Sequence, residues 1–137
     1  MRQLLKILIL FFLFQCTKIE AQPMNLKCAF ISNPIGIDDT LIHFNWELSF
    51  NEKLNRQTGY QIMIATRPEL LLVAKPDIYD SGLKNSVKQD TNICLPQLKS
   101  YTRYYWIVKV IGGNNKVGVQ SKVEWFETVK IQGKEGW

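Results

Sequence analysis

The sequence predicts an all-β fold, an antiparallel β-sandwich of about seven strands with one short helical turn near residues 68–74. Three observations predict it. In residues 98–111, LKSYTRYYWIVKVI, the side chains of Tyr104, Trp106, Val108 and Val110 share one parity, so an extended strand points all four at one buried face. Just ahead of them Leu98, Thr102 and Tyr104 stand at the spacing L-x-x-x-T-x-Y. There a leucine plugs the end of the core and a tyrosine hydroxyl turns back onto nearby backbone, the tyrosine corner of β-sandwiches. Finally, Pro, Gly, Asn and Asp clusters break the rest of the chain into short alternating runs with almost no helical period.

With 137 residues there is room for one domain with a self-sufficient core. Residues 1–21 are set apart from it as a signal peptide. Arg2 and Lys6 form a basic start, residues 8–14 an unbroken apolar run, and Ile19-Glu20-Ala21 a cleavage site. A membrane-spanning helix needs about 20 apolar residues, and Gln15, Thr17, Lys18 and Glu20 end the run too early. Cys16 raises the competing reading of a lipid-anchored protein, which Gln15 immediately before it disfavours. The chain is thus expected to be exported, to the periplasm, the cell surface or the medium. Removing the segment takes away three basic side chains and one acidic one, so the net charge falls from +5 to +3. The remaining Lys and Arg are scattered singly, which argues against a nucleic-acid or lipid surface. Two cysteines are left, Cys28 and Cys94. An oxidising compartment invites a disulfide, but a sandwich puts them two strands apart in one sheet, with neighbouring strands about 4.8 Å apart. Two free thiols are therefore expected.

Residues 25–31 read as a first strand with Leu26, Cys28 and Phe30 on one face. Residues 32–39, SNPIGIDD, carry loop chemistry, and no strand is expected there. Residues 41–49 form the second strand, with Ile42, Phe44, Trp46 and Leu48 on one face and His43, Asn45 and Glu47 on the other; residues 51–56 read as a turn. The third strand, residues 58–66, places Tyr60, Ile62 and Ile64 opposite Gln61, Met63 and Ala65. Pro68 fits the first turn of a short helix, Glu69 suits its positive end, and Lys75-Pro76 stops it. Residues 77–82 suit a short edge strand and residues 92–95 a brief one. After the long strand, Gly112-Gly113-Asn114-Asn115 makes a hairpin turn into a last strand over residues 119–129. Its parity conflicts, with Val119, Ser121, Val123 and Trp125 on one face and Phe126 and Thr128 on the other, as a bulge would produce. The core is expected to hold Phe44, Trp46, Tyr60, Ile62, Leu98, Tyr104, Trp106 and Val108. A sandwich with Trp46 on its second strand, and without a cysteine pair across the sheets, is fibronectin type III-like within the wider immunoglobulin-like class.

No catalytic, metal-ligating or cofactor-binding set stands out. His43, the single histidine, pairs only with Glu47 on an outward face, and a metal needs three or four convergent ligands. Asp38, Asp39, Asp77 and Asp80 could be read as acid and base for glycoside hydrolysis, but each sits in a turn, where Asp bonds local backbone. Nucleophilic catalysis lacks a base other than His43. Gly112-Gly113 leads into a strand, so it is no phosphate loop. Trp106, Trp125, Tyr79, Tyr105 and Trp137 could be read as an aromatic platform for sugar stacking, but aromatic residues are common on strands in any case, and Trp106 is expected in the core.

The segments LKCAFISNPIGIDD, HFNWEL, RQTGYQIMIAT, DIYDSGLKNS and LKSYTRYYWIVKV, in that order, resemble the N-terminal module of secreted bacterial α-L-rhamnosidases of glycoside hydrolase family 78. The resemblance runs from about Leu26 to Thr128. Tyr79 stands where that family usually has tryptophan, and Gly59 where alanine is common. In the family the module precedes further β domains and an α/α-barrel that carries the acidic catalytic residues, so no catalytic position transfers to this chain. The resemblance implies residues 22–130 as the sandwich and residues 131–137 as a truncated linker to a downstream domain. It also implies a non-catalytic scaffold whose partners are the neighbouring domains of a larger glycoside hydrolase. The competing reading is a free-standing extracellular module that binds a carbohydrate or a protein.

Overall fold

The computed structural model describes residues 22–48, 57–112 and 117–132. The signal-like segment, the turn at 51–56, Gly113 to Asn115 of the hairpin turn, and residues 133–137 lie outside the described residues. Two sheets pack face to face. The strands in chain order are β1 (Pro23–Cys28), β2 (Ile35–Ile37), β3 (Leu41–Leu48), β4 (Gly59–Ala65), β5 (Tyr79–Asp80), β6 (Lys84–Asn85), β7 (Asp90–Cys94), β8 (Arg103–Ile111), β9 (Val117–Gln120) and β10 (Glu124–Thr128); helix α1 (Pro68–Leu72) follows β4. One sheet has the order β1-β3-β7. The other runs β2-β10-β8-β4-β5, with β6 also on β4 and β9 on β8. All pairings are antiparallel except β2 with β10.

The two inner faces meet in one core. β3 contributes Ile42, Phe44 and Trp46; β4 contributes Tyr60, Ile62 and Ile64; β8 contributes Tyr104, Trp106, Val108 and Val110, joined by Leu98 and Phe126. Aromatic edges meet aromatic faces across the sheets: Phe44 lies 4.8 Å from Trp106 and 6.0 Å from Phe126, both at 67°. Such pairs add about 0.5–1.5 kcal/mol each to the burial itself. The tyrosine corner forms at the start of β8, where the Tyr104 hydroxyl accepts the Lys99 N–H at 2.8 Å. Thr128 locks the same corner from β10, its hydroxyl accepting the Thr102 N–H at 3.0 Å and donating to the Lys99 carbonyl at 2.6 Å. Ile131 is part of the core, and its N–H donates to Ser100 Oγ, so the sandwich continues past residue 130.

The outer face of β4 and β8 is not bare. Met63, Ala65 and Ile107 are buried there beneath Leu71 of α1. The helix begins with Pro68 behind an extended Arg67, as its sequence suggests. It ends earlier than Pro76 requires, because Ala74 is left-handed at φ 54. The Ala74 N–H then reaches the Leu71 carbonyl and the Lys75 N–H the Leu70 carbonyl, a Schellman closure without its usual glycine. Gly59 has a packing reason: a Cβ there would lie 2.7 Å from the Lys84 carbonyl oxygen, because β6 approaches β4 that closely.

Several sequence expectations are corrected. The first strand stops at Cys28, and Phe30 does not point inward but is 70% exposed. Ala29 and Phe30 both take positive φ, 50° and 66°, and reverse the chain, so that Cys28 and Ile31 exchange both backbone hydrogen bonds at 3.0 and 3.1 Å. Residues 32–39 do contain a strand, β2, because it pairs with a strand far along the chain. The segment 119–129 is not one strand. Ser121 is buried between β9 and β10, exchanging bonds with the Val108 backbone (Oγ accepting the N–H at 3.0 Å, N–H donating to the carbonyl at 2.9 Å); beyond it Phe126 and Thr128 face inward and Trp125 does not.

Candidate functional site

The residues first considered for chemistry are held in local bonds. His43 is outward on β3 and half-buried; its Nδ1 lies 2.8 Å from Asn92 Oδ1 on β7. Glu47 accepts from Asn25 Nδ2 at 2.9 Å. Among the described residues no cluster of three or more His, Cys, Asp or Glu side chains could hold a metal. Asp39 Oδ1 accepts the Thr40 and Leu41 N–H groups, which is the turn chemistry its context suggests. Asp80 Oδ1 accepts from Gln61 Nε2 and the Gly82 N–H, both at 2.8 Å. Burial alone would raise the Asp77 carboxyl, but the hydroxyl and N–H of Thr66 outweigh it and hold the group below the usual carboxylate range. Asp77 is thereby held in its charged form, which does not suit a general acid.

The aromatic candidates divide between core and surface. Trp106 is in the core. Trp125 is half-buried on the outer face, and one side of its ring is covered by the Arg103 guanidinium, 3.9 Å from the centroid. Arg103 in turn pairs with Glu127 at 2.6 Å. The ring is therefore already stacked. Tyr79 is half-buried at the sheet edge, where burial and then Tyr60 and Asp80 push its hydroxyl above the ordinary value. The cysteines are free thiols, Cys28 buried on β1 and Cys94 exposed on β7, with β3 between them. Burial pushes the Cys28 thiol up to about 12, so it stays protonated and inert.

Sequence reasoning missed the surface built around Phe30. The left-handed turn at Ala29-Phe30 lifts that ring over β3, where it stacks on His43 with centroids 4.4 Å apart and planes 16° apart. A shallow groove of about 570 Å³ opens on one side, lined by Phe30, His43, Asn45, Lys88, Gln89 and Asp90. Asn45 Oδ1 is buried there without a hydrogen-bond partner. On the other side a groove of about 320 Å³ runs between the β1 turn, β2 and the start of β3. Gly36, at φ 118, shapes its wall: a bulge at this residue sets Ile37 into the core while leaving Ile35 outside. The one signal in the sequence was the apolar content of residues 29–37; strand parity assigned Phe30 to the interior, and residues 32–39 read as loop.

The fold is that of the immunoglobulin-like β-sandwich class. The family model for the Rha78A-like N-terminal immunoglobulin domain matches residues 23–132, and the chain belongs to that family. It is 34% identical over 110 residues to an α-L-rhamnosidase of Formosa agariphila, covering 79% of this chain and 12% of that enzyme. The solved structure of the α-L-rhamnosidase from Dictyoglumus thermophilum superposes with a TM-score of 0.75 at 30% identity, over 81% of this chain and 13% of that one. The third fibronectin III domain of the human KIAA0343 protein shares the fold at a TM-score of 0.56 and 17% identity. The chain thus spans about an eighth of the rhamnosidases it matches and corresponds to their N-terminal domain alone. As it stands it is non-catalytic. Among the described residues no helix is long and apolar enough to cross a membrane.

Proposed function

We propose that this chain is the N-terminal accessory module of an exported α-L-rhamnosidase that removes terminal rhamnose from plant or microbial glycans, and that it packs against and positions the enzyme's other domains without turnover of its own. The observation that carries this reading is the match over residues 23–132 to a domain that, in each rhamnosidase compared, is a small N-terminal part of a much longer enzyme. Residues 1–21, with a basic start and an apolar run, support export.

The test is to place residues 22–132 in the position of the matching module of the Formosa agariphila α-L-rhamnosidase and to assay an aryl α-L-rhamnoside. The chimera should hydrolyse it and unfold as one unit, and the isolated chain should show no turnover. Hydrolysis by the isolated chain would overturn the reading. Saturable binding of the isolated chain to a rhamnose-containing polysaccharide, with a chimera that unfolds in separate parts, would replace it with a free-standing glycan-binding module.

A further inference from the structure

Four large apolar side chains, Phe30, Ile31, Ile35 and Leu41, stand between 58% and 72% exposed around the 320 Å³ groove. Exposed apolar residues are ordinary when scattered, whereas a contiguous set around a concavity marks a contact surface. Phe30 keeps one contact within the module, its stack on His43, which leaves most of the ring exposed. The alternation of β1 would bury position 30, yet two successive left-handed residues, without a glycine, turn that ring outward. Gly36 keeps Ile35 out in the same way. Acidic Asp38 and Asp39, both exposed, line the same groove.

The chain leaves the sandwich beside this surface. Past Thr128 the Val129 N–H donates to the Ile37 carbonyl, Ile131 is buried, and the Gln132 N–H reaches the Asp38 carbonyl at 3.4 Å. The last described residue, 132, therefore lies beside Asp38, one of the residues that line the groove. In the matched rhamnosidases this module is only about an eighth of the chain, so a long polypeptide follows it.

We infer that the surface formed by Phe30, Ile31, Ile35 and Leu41 is the docking face for the domain that follows this module in the same polypeptide, which would present an apolar centre and basic or amide groups toward Asp38 and Asp39. This rests on the accessory-module reading and assigns its contact surface. A partner tethered beside the groove needs little intrinsic affinity, because the tether raises its effective concentration to the millimolar range.

The test uses the chimera described above with Phe30→Ser and Ile35→Ser introduced together, both at exposed positions outside any catalytic machinery. The unmodified chimera should melt in one transition. The double variant should melt in two, and proteinase K, which has no strict side-chain requirement, should cut the junction after residue 132 about tenfold faster or more, because cleavage follows the population of the undocked state. The isolated double variant should keep the melting temperature of the isolated parent chain to within a few degrees, which separates lost docking from lost folding. Co-melting and equal cleavage of the two chimeras would overturn the docking face while leaving the accessory reading intact. An unmodified chimera that already melts in two transitions would overturn both. A concentration-dependent dimer of the isolated chain that the double variant abolishes would assign the surface to a second copy and overturn the inference.

Discussion

Gln57 is a buried polar residue on which three segments depend, and its replacement is the sharpest test of the packing. It precedes β4 and is 3% exposed. Its Oε1 accepts the Trp46 indole N–H at 3.0 Å, while its Nε2 donates to the carbonyls of Ser86 at 3.0 Å and Lys88 at 2.5 Å. One side chain thus ties β3 to the segment that leads into β7. Gln57→Leu keeps most of the volume and removes all three bonds. The Trp46 indole, 2% exposed, has no water to turn to, and an orphaned buried donor costs about 1–3 kcal/mol. Ser86 and Lys88 lie nearer solvent, so their carbonyls lose only the net value of a hydrogen bond, about 0.5–1.5 kcal/mol each. Allowing about 1 kcal/mol for the added apolar burial, the variant should lose about 1–5 kcal/mol. At about 4 °C per kcal/mol for a domain of this size, the melting temperature should fall by about 4–20 °C. Urea unfolding at a fixed m-value measures the loss. In a Trp46→Phe background, which lacks the indole N–H, the same substitution should cost about 1–2 kcal/mol less. A cost below about 0.5 kcal/mol, or no difference between backgrounds, would refute the reasoning.

Other substitutions test separate features. Tyr104→Phe removes the acceptor of the Lys99 N–H and should cost about 1–2 kcal/mol in urea unfolding, whereas Tyr105→Phe, on the half-buried outer face, should cost less than about 0.5. Ala74→Gly relieves a left-handed residue at the end of α1 and should stabilise the chain by about 0.5–1 kcal/mol, read as a raised urea midpoint. Because burial raises the Cys28 thiol from 9.0 to about 12, the unfolded chain releases a proton above pH 9 that the folded chain keeps. The contribution is complete below pH 9 and is lost as pH rises toward 12, at about 1.4 kcal/mol per pH unit, and Cys28→Ala should flatten that slope. Iodoacetamide should label Cys94 in the native chain and reach Cys28 only on unfolding.

Alternation made β3, β4 and β8 legible because each has one face turned into the core, and a period of two survives wherever a face is dry. The tyrosine corner was legible because its spacing is local. β2 was not, because its pairing is decided by β10, and nothing within residues 32–39 records a partner so distant. Phe30 was misplaced for a related reason: parity reasoning assumes an extended backbone, and two left-handed residues cancel it. The parity conflict around residue 121 was a true signal, since it marked the break at which Ser121 is buried. Gln57, Ser121 and Thr128 look like surface residues by type, yet each is buried where it satisfies backbone or indole groups. The grooves beside Phe30 were invisible because they draw on β1, β2, β3 and the stretch before β7 together.

The lock that Thr128 places on the corner, with the parallel pairing of β2 and β10, sets the order in which the module can be completed. Asn33 Oδ1 accepts the Trp125 N–H across 92 positions of sequence, and Ile131 is still part of the core. A chain emerging from the ribosome or a translocation pore has no finished second sheet until nearly its last described residue is out. Folding therefore waits on contacts of high sequence separation, and such contacts form slowly. Until then β3 and β8 keep apolar faces uncovered, so the module is exposed to aggregation while it is still incomplete.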